Sequence, residues 1–240
     1  TESVRVAVVG GSGLATPELA EALQKTPGRT VPIELVLVGR DAAKLDKVNA
    51  VACSLIGEDA LLRVSCTTDT AGALEGAAYV LNQVRVGGLE ARAFDESYPR
   101  ALGLPGEETV GPGGFANATR TVPAVLEYAR LIERVAPQAL FLNLANPSSL
   151  VQYAVSHYTR VATLGLCDAP ISLVAAIAHA LNVPPAELVV DYVGMHHFGW
   201  VTGLWRRGQD MLPAALALAA EVAKDCLLYT SDAADDLLCV

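Results

Sequence analysis

The chain has 240 residues, 52% hydrophobic and 18% charged, which provides for one large α/β core or for one domain and part of another. Its formal net charge of -9 argues against a nucleic-acid surface and gives no attraction to anionic membranes, so an anionic substrate would need a local basic pocket. No apolar run is long enough to span a bilayer, and the N-terminus runs into a strand without a signal pattern. The five cysteines (Cys53, Cys66, Cys167, Cys226, Cys239) show no framework spacing, so a reducing, cytoplasmic setting is expected.

The first predicted element is a strand over Val4 to Val9, continuously apolar as a parallel strand buried on both faces would be. It runs into Gly10-Gly11-Ser12-Gly13. Thr16 is read as an N-cap, Pro17 as the first helical residue and Glu18 as a favourable charge at the helix start. Further strands are predicted at Ile33–Val38, Leu62–Thr67, Tyr79–Val84, Ala139–Leu144, Val161–Leu166 and Leu188–Val193. Helices are predicted from Thr16 to about Lys25 and over 42–56, 89–98, 119–135 and 171–181, with another after Asn146-Pro147 and one near the C-terminal end. Gly103 to Gly114 reads as a long loop.

This alternation predicts a doubly wound, Rossmann-like parallel sheet over residues 1–170. Residues 171–225 read as the start of a second, incomplete α/β domain. Residues 226–240 read as a non-native tail, because CLLYTSDAADD matches one translated frame of a transposon-type sequencing adapter. Ligands bind such sheets outside the carboxyl ends of the strands. The glycine loop, Asn146, Cys167 and His197 all follow predicted strands and are expected to converge there.

Gly10, Gly11, Ser12 and Gly13 suit a pyrophosphate at a helix N-terminus, although they would also suit a plain strand-to-helix turn. The third glycine of the dinucleotide fingerprint is absent and Thr16 stands there. Arg40 follows the second strand in place of the usual ribose-binding acid, which favours neither NAD nor NADP outright. Cys167 and His197 offer a thiolate and an imidazole to a divalent metal such as Mn²⁺, Fe²⁺, Co²⁺ or Ni²⁺. Blander readings stand beside these: a core cysteine, hydrogen-bonded strand-end histidines, solvated Arg85 and Arg92, and packing roles for Trp200 and Trp205.

The segments VVGGSGLATPEL, QVRVGGLEARAFDE, GEETVGPGGFANATRTVP, NLANPSSLV, GLCDAPI and YVGMHHFGW together resemble glycoside hydrolase family 4. The resemblance extends nearly to Asp225. These are NAD- and divalent-metal-dependent 6-phospho-glucosidases and relatives, which lie outside the two-carboxylate scheme of most glycosidases. The resemblance implies a phosphorylated sugar substrate, NAD, a metal such as Mn²⁺, and a homo-oligomer at full length. It places Cys167 and His197 on the metal ligands, Arg92 and Asn146 on substrate positions, and Asp168 on a proton donor. Glu108 falls on an acidic group that tunes a catalytic tyrosine. That tyrosine is expected beyond this stretch, is not Tyr229, and leaves the stretch inactive alone. His196 departs from the family's asparagine and could compete as a ligand. Asp168 is typical of the α-acting branch and GPGGF…RTVP of the β-acting branch; a 6-phospho-β-glucosidase is favoured. A lactate- or malate-type dehydrogenase, sharing the fold, and a non-catalytic NAD-binding module are the alternatives.

Overall fold

The computed structural model describes residues 3–195 and 197–225. His196, Tyr229 and the adapter-like tail lie outside the described residues. The chain divides into two compact units. The first takes the residues up to Gly88 and Ala118–Leu166; the second takes Leu89–Asn117 and the chain from Cys167 on.

The first unit is built on β1 (Val4–Val9), β2 (Ile33–Val38), β3 (Leu62–Thr67), β4 (Tyr79–Asn82), β5 (Leu140–Asn143) and β6 (Ala162–Gly165). All pair in parallel, in the order β3-β2-β1-β4-β5-β6. This is the dinucleotide-binding order, with its reversal between β1 and β4. Helices α1 (Thr16–Lys25), α2 (Ala42–Ile56) and α3 (Thr70–Leu74) connect the first strands. Of the later helices, α4 (Gly88–Ser97) falls in the second unit after Gly88, α5 (Gly111–Val135) belongs to this unit from Ala118 on, its first turns falling in the second, and α6 spans Ser148–Tyr158.

Alternate residues of each strand serve opposite faces. Ala7 and Val9 of β1 join Val80, Phe141, Val125, Ala129, Ile132, Val151 and Val155 under α5 and α6. Val8 joins Leu35, Leu37, Ala20, Leu45, Ala52 and Ile56 under α1 and α2. Each large side chain fully buried there contributes about 1.5–3 kcal/mol. That double burial explains the unbroken apolar runs of the central strands.

In the second unit, α7 (Ala169–Ala180) precedes a three-stranded antiparallel sheet of β7 (Leu188–Met195), β8 (Phe198–Arg206) and β9 (Gln209–Asp210), followed by α8 (Leu212–Asp225). Asp191 pairs with Gly203 and Tyr192 with Val201, so Thr202 is the extra residue of a bulge. No helix among the described residues is long and apolar enough to cross a membrane.

Four expectations are corrected. β7 does not extend the parallel sheet, because it folds straight back on β8. His197 therefore sits in a hairpin connection and does not follow a strand of the parallel sheet. α5 begins at Gly111, inside the stretch read as a loop, and Gly113 and Gly114 in its first turn pack closely against the backbone of Asp95, Glu107 and Thr109. Ala15 is the N-cap of α1 and makes no side-chain capping bond; Thr16 is inside the helix and fully buried.

Candidate active site

In the first unit the sequence-selected residues line the carboxyl edge of the sheet. After Val9 the chain turns through Gly10, Gly11, Ser12 and Gly13 into α1. The Gly11 N–H donates to the Val38 carbonyl at 2.8 Å and the Gly13 N–H to the Gly10 carbonyl at 3.0 Å. Those two amides shape the loop itself. Among the described residues, the N–H groups of Ser12, Leu14 and Ala15 have no backbone acceptor. Donors of that kind at a helix start fit a dinucleotide's pyrophosphate. Arg40 is exposed, two residues past β2.

Asn146 is half-buried three residues past β5, in a cis peptide with Pro147. Beneath that loop lies a fully buried amide pair. The Asn82 Nδ2 donates to Asn143 Oδ1 at 2.7 Å. Asn143 also accepts from the Ala145 N–H at 3.3 Å and donates to the Ala145 carbonyl at 2.9 Å. The pair ties the chain ends of β4 and β5 together.

The second unit holds the other candidates. Glu108 is buried, and Arg92 Nε lies 3.9 Å from its Oε1 and 2.8 Å from Glu96 Oε1. Arg92 is 17% exposed, so it is not the solvated helix-face residue of the blander reading. Glu107, which the sequence reading passed over for its neighbour, faces His197: Oε1 and Nδ1 are 3.6 Å apart and both side chains are almost buried. The Thr109 N–H donates to the same Glu107 oxygen at 3.0 Å. The Asn117 Nδ2 donates to the Glu108 carbonyl at 3.2 Å. Gly113 passes so near the Glu107 and Asp95 carbonyls that a Cβ there would collide with both. The GEET and GPGG segments are thus packed on each other.

Cys167 is half-buried and Asp168, exposed, is the N-cap residue of α7 without a side-chain capping bond. Tyr192 on β7 lies within electrostatic reach of Cys167. Burial raises its phenol above the ordinary value and Cys167 pushes the same way. Among the described residues no three His, Cys, Asp or Glu side chains form a metal cluster. The donor chemistry of Cys167 and His197 still fits two positions of a divalent cation, the imidazole with its Nδ1 turned to a carboxylate.

A sequence model of the family described as Family 4 glycosyl hydrolase matches residues 5–183. The chain belongs to this family. The family 4 chain is 35% identical over 201 residues to a probable 6-phospho-beta-glucosidase of Bacillus subtilis (strain 168), covering 82% of this chain and 46% of that one. A crystal structure of a 6-phospho-alpha-glucosidase from gut microorganisms, in complex with NAD and Mn²⁺, superposes with a TM-score of 0.84 at 30% identity, over 92% of this chain and 51% of that one. The Thermotoga maritima 6-phospho-beta glucosidase with manganese, NAD⁺ and glucose-6-phosphate gives 0.80 at 28% identity, over 94% and 56%. The family 4 chain therefore spans about half the length of these relatives. The match sets aside the dehydrogenase alternative, whose likeness is one of fold.

Proposed function

We propose that the chain is part of an NAD- and divalent-metal-dependent 6-phospho-glucosidase, a 6-phospho-β-glucosidase first, working in the cytoplasm. The observation that carries the reading is the glycine loop at the order reversal of the sheet, with donor amides at the start of α1, in a chain whose relatives hold NAD and Mn²⁺. When bound, NAD⁺ supplies a reversible hydride acceptor and the cation polarises a sugar carbonyl.

The chain's own residues take these parts. Ser12, Leu14 and Ala15 offer N–H groups to the pyrophosphate, and Arg40 stands on the ribose side. Cys167 as thiolate and His197 through Nε2 hold the cation. Arg92, oriented by Glu96, and Asn146 bind the sugar phosphate and its hydroxyls. Asp168, whose side chain caps no helix, donates a proton to the leaving oxygen. Glu108 sets the charge for a base contributed by another part of the full-length enzyme.

The α-acting reading is kept because of Asp168 and the α-glucosidase likeness. The test uses the chain alone and the same gene extended to the relatives' length. NAD⁺ should bind both. Hydrolysis of 6-phospho-glucosides should occur in the long form only, stop on chelation and leave no net NADH. Turnover without added metal or NAD⁺, or equal turnover by the short chain, would overturn the reading; the anomer cleaved decides between β and α.

A further inference from the structure

The fingerprint's missing third glycine has a structural answer just past β4. Gln83 directly follows that strand, across the order reversal from the glycine loop. Its Nε2 donates one hydrogen to the Gly10 carbonyl at 3.2 Å and the other to Thr16 Oγ1 at 2.6 Å. These acceptors stand at the two ends of the loop. Gln83 also lies against two of the loop's glycines. A Cβ on Gly10 would lie 2.9 Å from the Gln83 carbonyl carbon, and one on Gly13 would lie 3.2 Å from Nε2. Gly10 also has a φ of +82°, which a side chain rarely adopts. Thr16 is fully buried, so its hydroxyl needs a partner, and Gln83 provides it.

We propose that Gln83 is a positioning residue for the dinucleotide: it braces the loop from Gly10 to Thr16 in its ligand-ready shape, and the Thr16–Gln83 bond does the work that close glycine packing does in the three-glycine loop. The inference rests on the cofactor reading above. A preset loop spares the ligand the cost of ordering it, so losing the brace weakens pyrophosphate binding while the fold survives. Adenosine, which lacks the pyrophosphate, gains nothing from the brace.

The experiment compares the wild type with Gln83→Leu, Thr16→Val and the double variant, using two readouts. The first is amide hydrogen exchange over residues 10–16 without ligand. The second is equilibrium binding of NAD⁺, ADP and adenosine. Exchange in the loop should rise in Gln83→Leu while exchange in β1 and β2 stays as in the wild type. The Kd for NAD⁺ and ADP should rise about tenfold, as loss of roughly one hydrogen bond's net worth implies, with adenosine unchanged. The effects of the two single variants should not add, since each breaks the same bond. Gln83→Glu, which keeps the length but loses the amide donors, should behave like Gln83→Leu. Unchanged loop exchange overturns the brace whatever the binding. Raised exchange with unchanged NAD⁺ affinity overturns its role toward the cofactor. A wild type that binds no nucleotide, with the brace intact by exchange, overturns the proposed function itself and this role with it.

Discussion

His197 Nδ1 and Glu107 Oε1 face each other at 3.6 Å, each side chain 6% exposed, although 90 residues separate them in the chain. A carboxylate on one imidazole nitrogen fixes the ring's orientation and assigns the ligand role to the other. The Thr109 N–H holds that carboxylate in turn. Glu107→Ala is expected to weaken Mn²⁺ binding about 10- to 100-fold. Glu107→Gln, which keeps an oxygen for the ring, should recover part of it. Mn²⁺ titration followed by electron paramagnetic resonance measures both; equal affinity in all three proteins would deny the link.

Cys167→Ser should remove most Mn²⁺ affinity and leave NAD⁺ affinity within about twofold, because a hydroxyl is a far poorer ligand than a thiolate and the glycine loop belongs to the first unit. Parallel titrations of metal and nucleotide check this. Equal loss of both would mark Cys167 as a packing residue.

The buried amide pair predicts unequal stability costs. Asn143→Ala strands the Asn82 amide, the Ala145 N–H and the Ala145 carbonyl, and should cost about 3 kcal/mol. Asn82→Ala removes one bond from Asn143, which keeps its two bonds to Ala145, and should cost about 1 kcal/mol. Urea unfolding of the two variants would read the difference; equal costs would show that the volume lost, and not the hydrogen bonding, dominates.

Asp59 predicts an acid limb. Its carboxylate accepts the Leu61 N–H and a hydrogen bond from Arg29, and both hold its pKa below the ordinary aspartate value. A folded pKa below the unfolded one stabilises the protein above the unfolded pKa, and that stability is lost as pH falls through the folded one. Asp59→Asn should therefore be less stable than the wild type at neutral pH, and the gap should close below about pH 4. Thermal melts across pH 2.5–7 test it, and a gap independent of pH would assign the loss to packing.

The parallel sheet was legible because its strands are buried on both faces and stay apolar along their length, as VRVAVV and IELVLV do. β8 was not, since FGWVTGLWR carries two glycines and the turn before it lacks the Asn-Gly or Asp-Gly that marks a hairpin. The start of α5 was hidden for a related reason: GPGG reads as a helix breaker when the chain is considered alone. The resemblance led to Glu108 but not to Glu107, and the composition of QVRVGG gave no sign that Gln83 would meet Thr16. Both partnerships join residues more than 60 positions apart and exist only once the units are folded. Arg92's pairing with Glu96, by contrast, follows from helical spacing and could have been read directly.

The hairpin that carries His197 also limits how this region can change its length. Met195 pairs with Phe198, so only two positions separate the strands. One residue added within β7 would advance the imidazole by about 3.3 Å and turn every following side chain of that strand to the opposite face. The bulge at Thr202 absorbs such an offset on the neighbouring strand, where it leaves the tip undisturbed. Length variation is therefore expected to collect on the β8 side of the bulge and to be absent between Tyr192 and Phe198. This stretch would then act as a molecular ruler, conserved in span even where its letters differ.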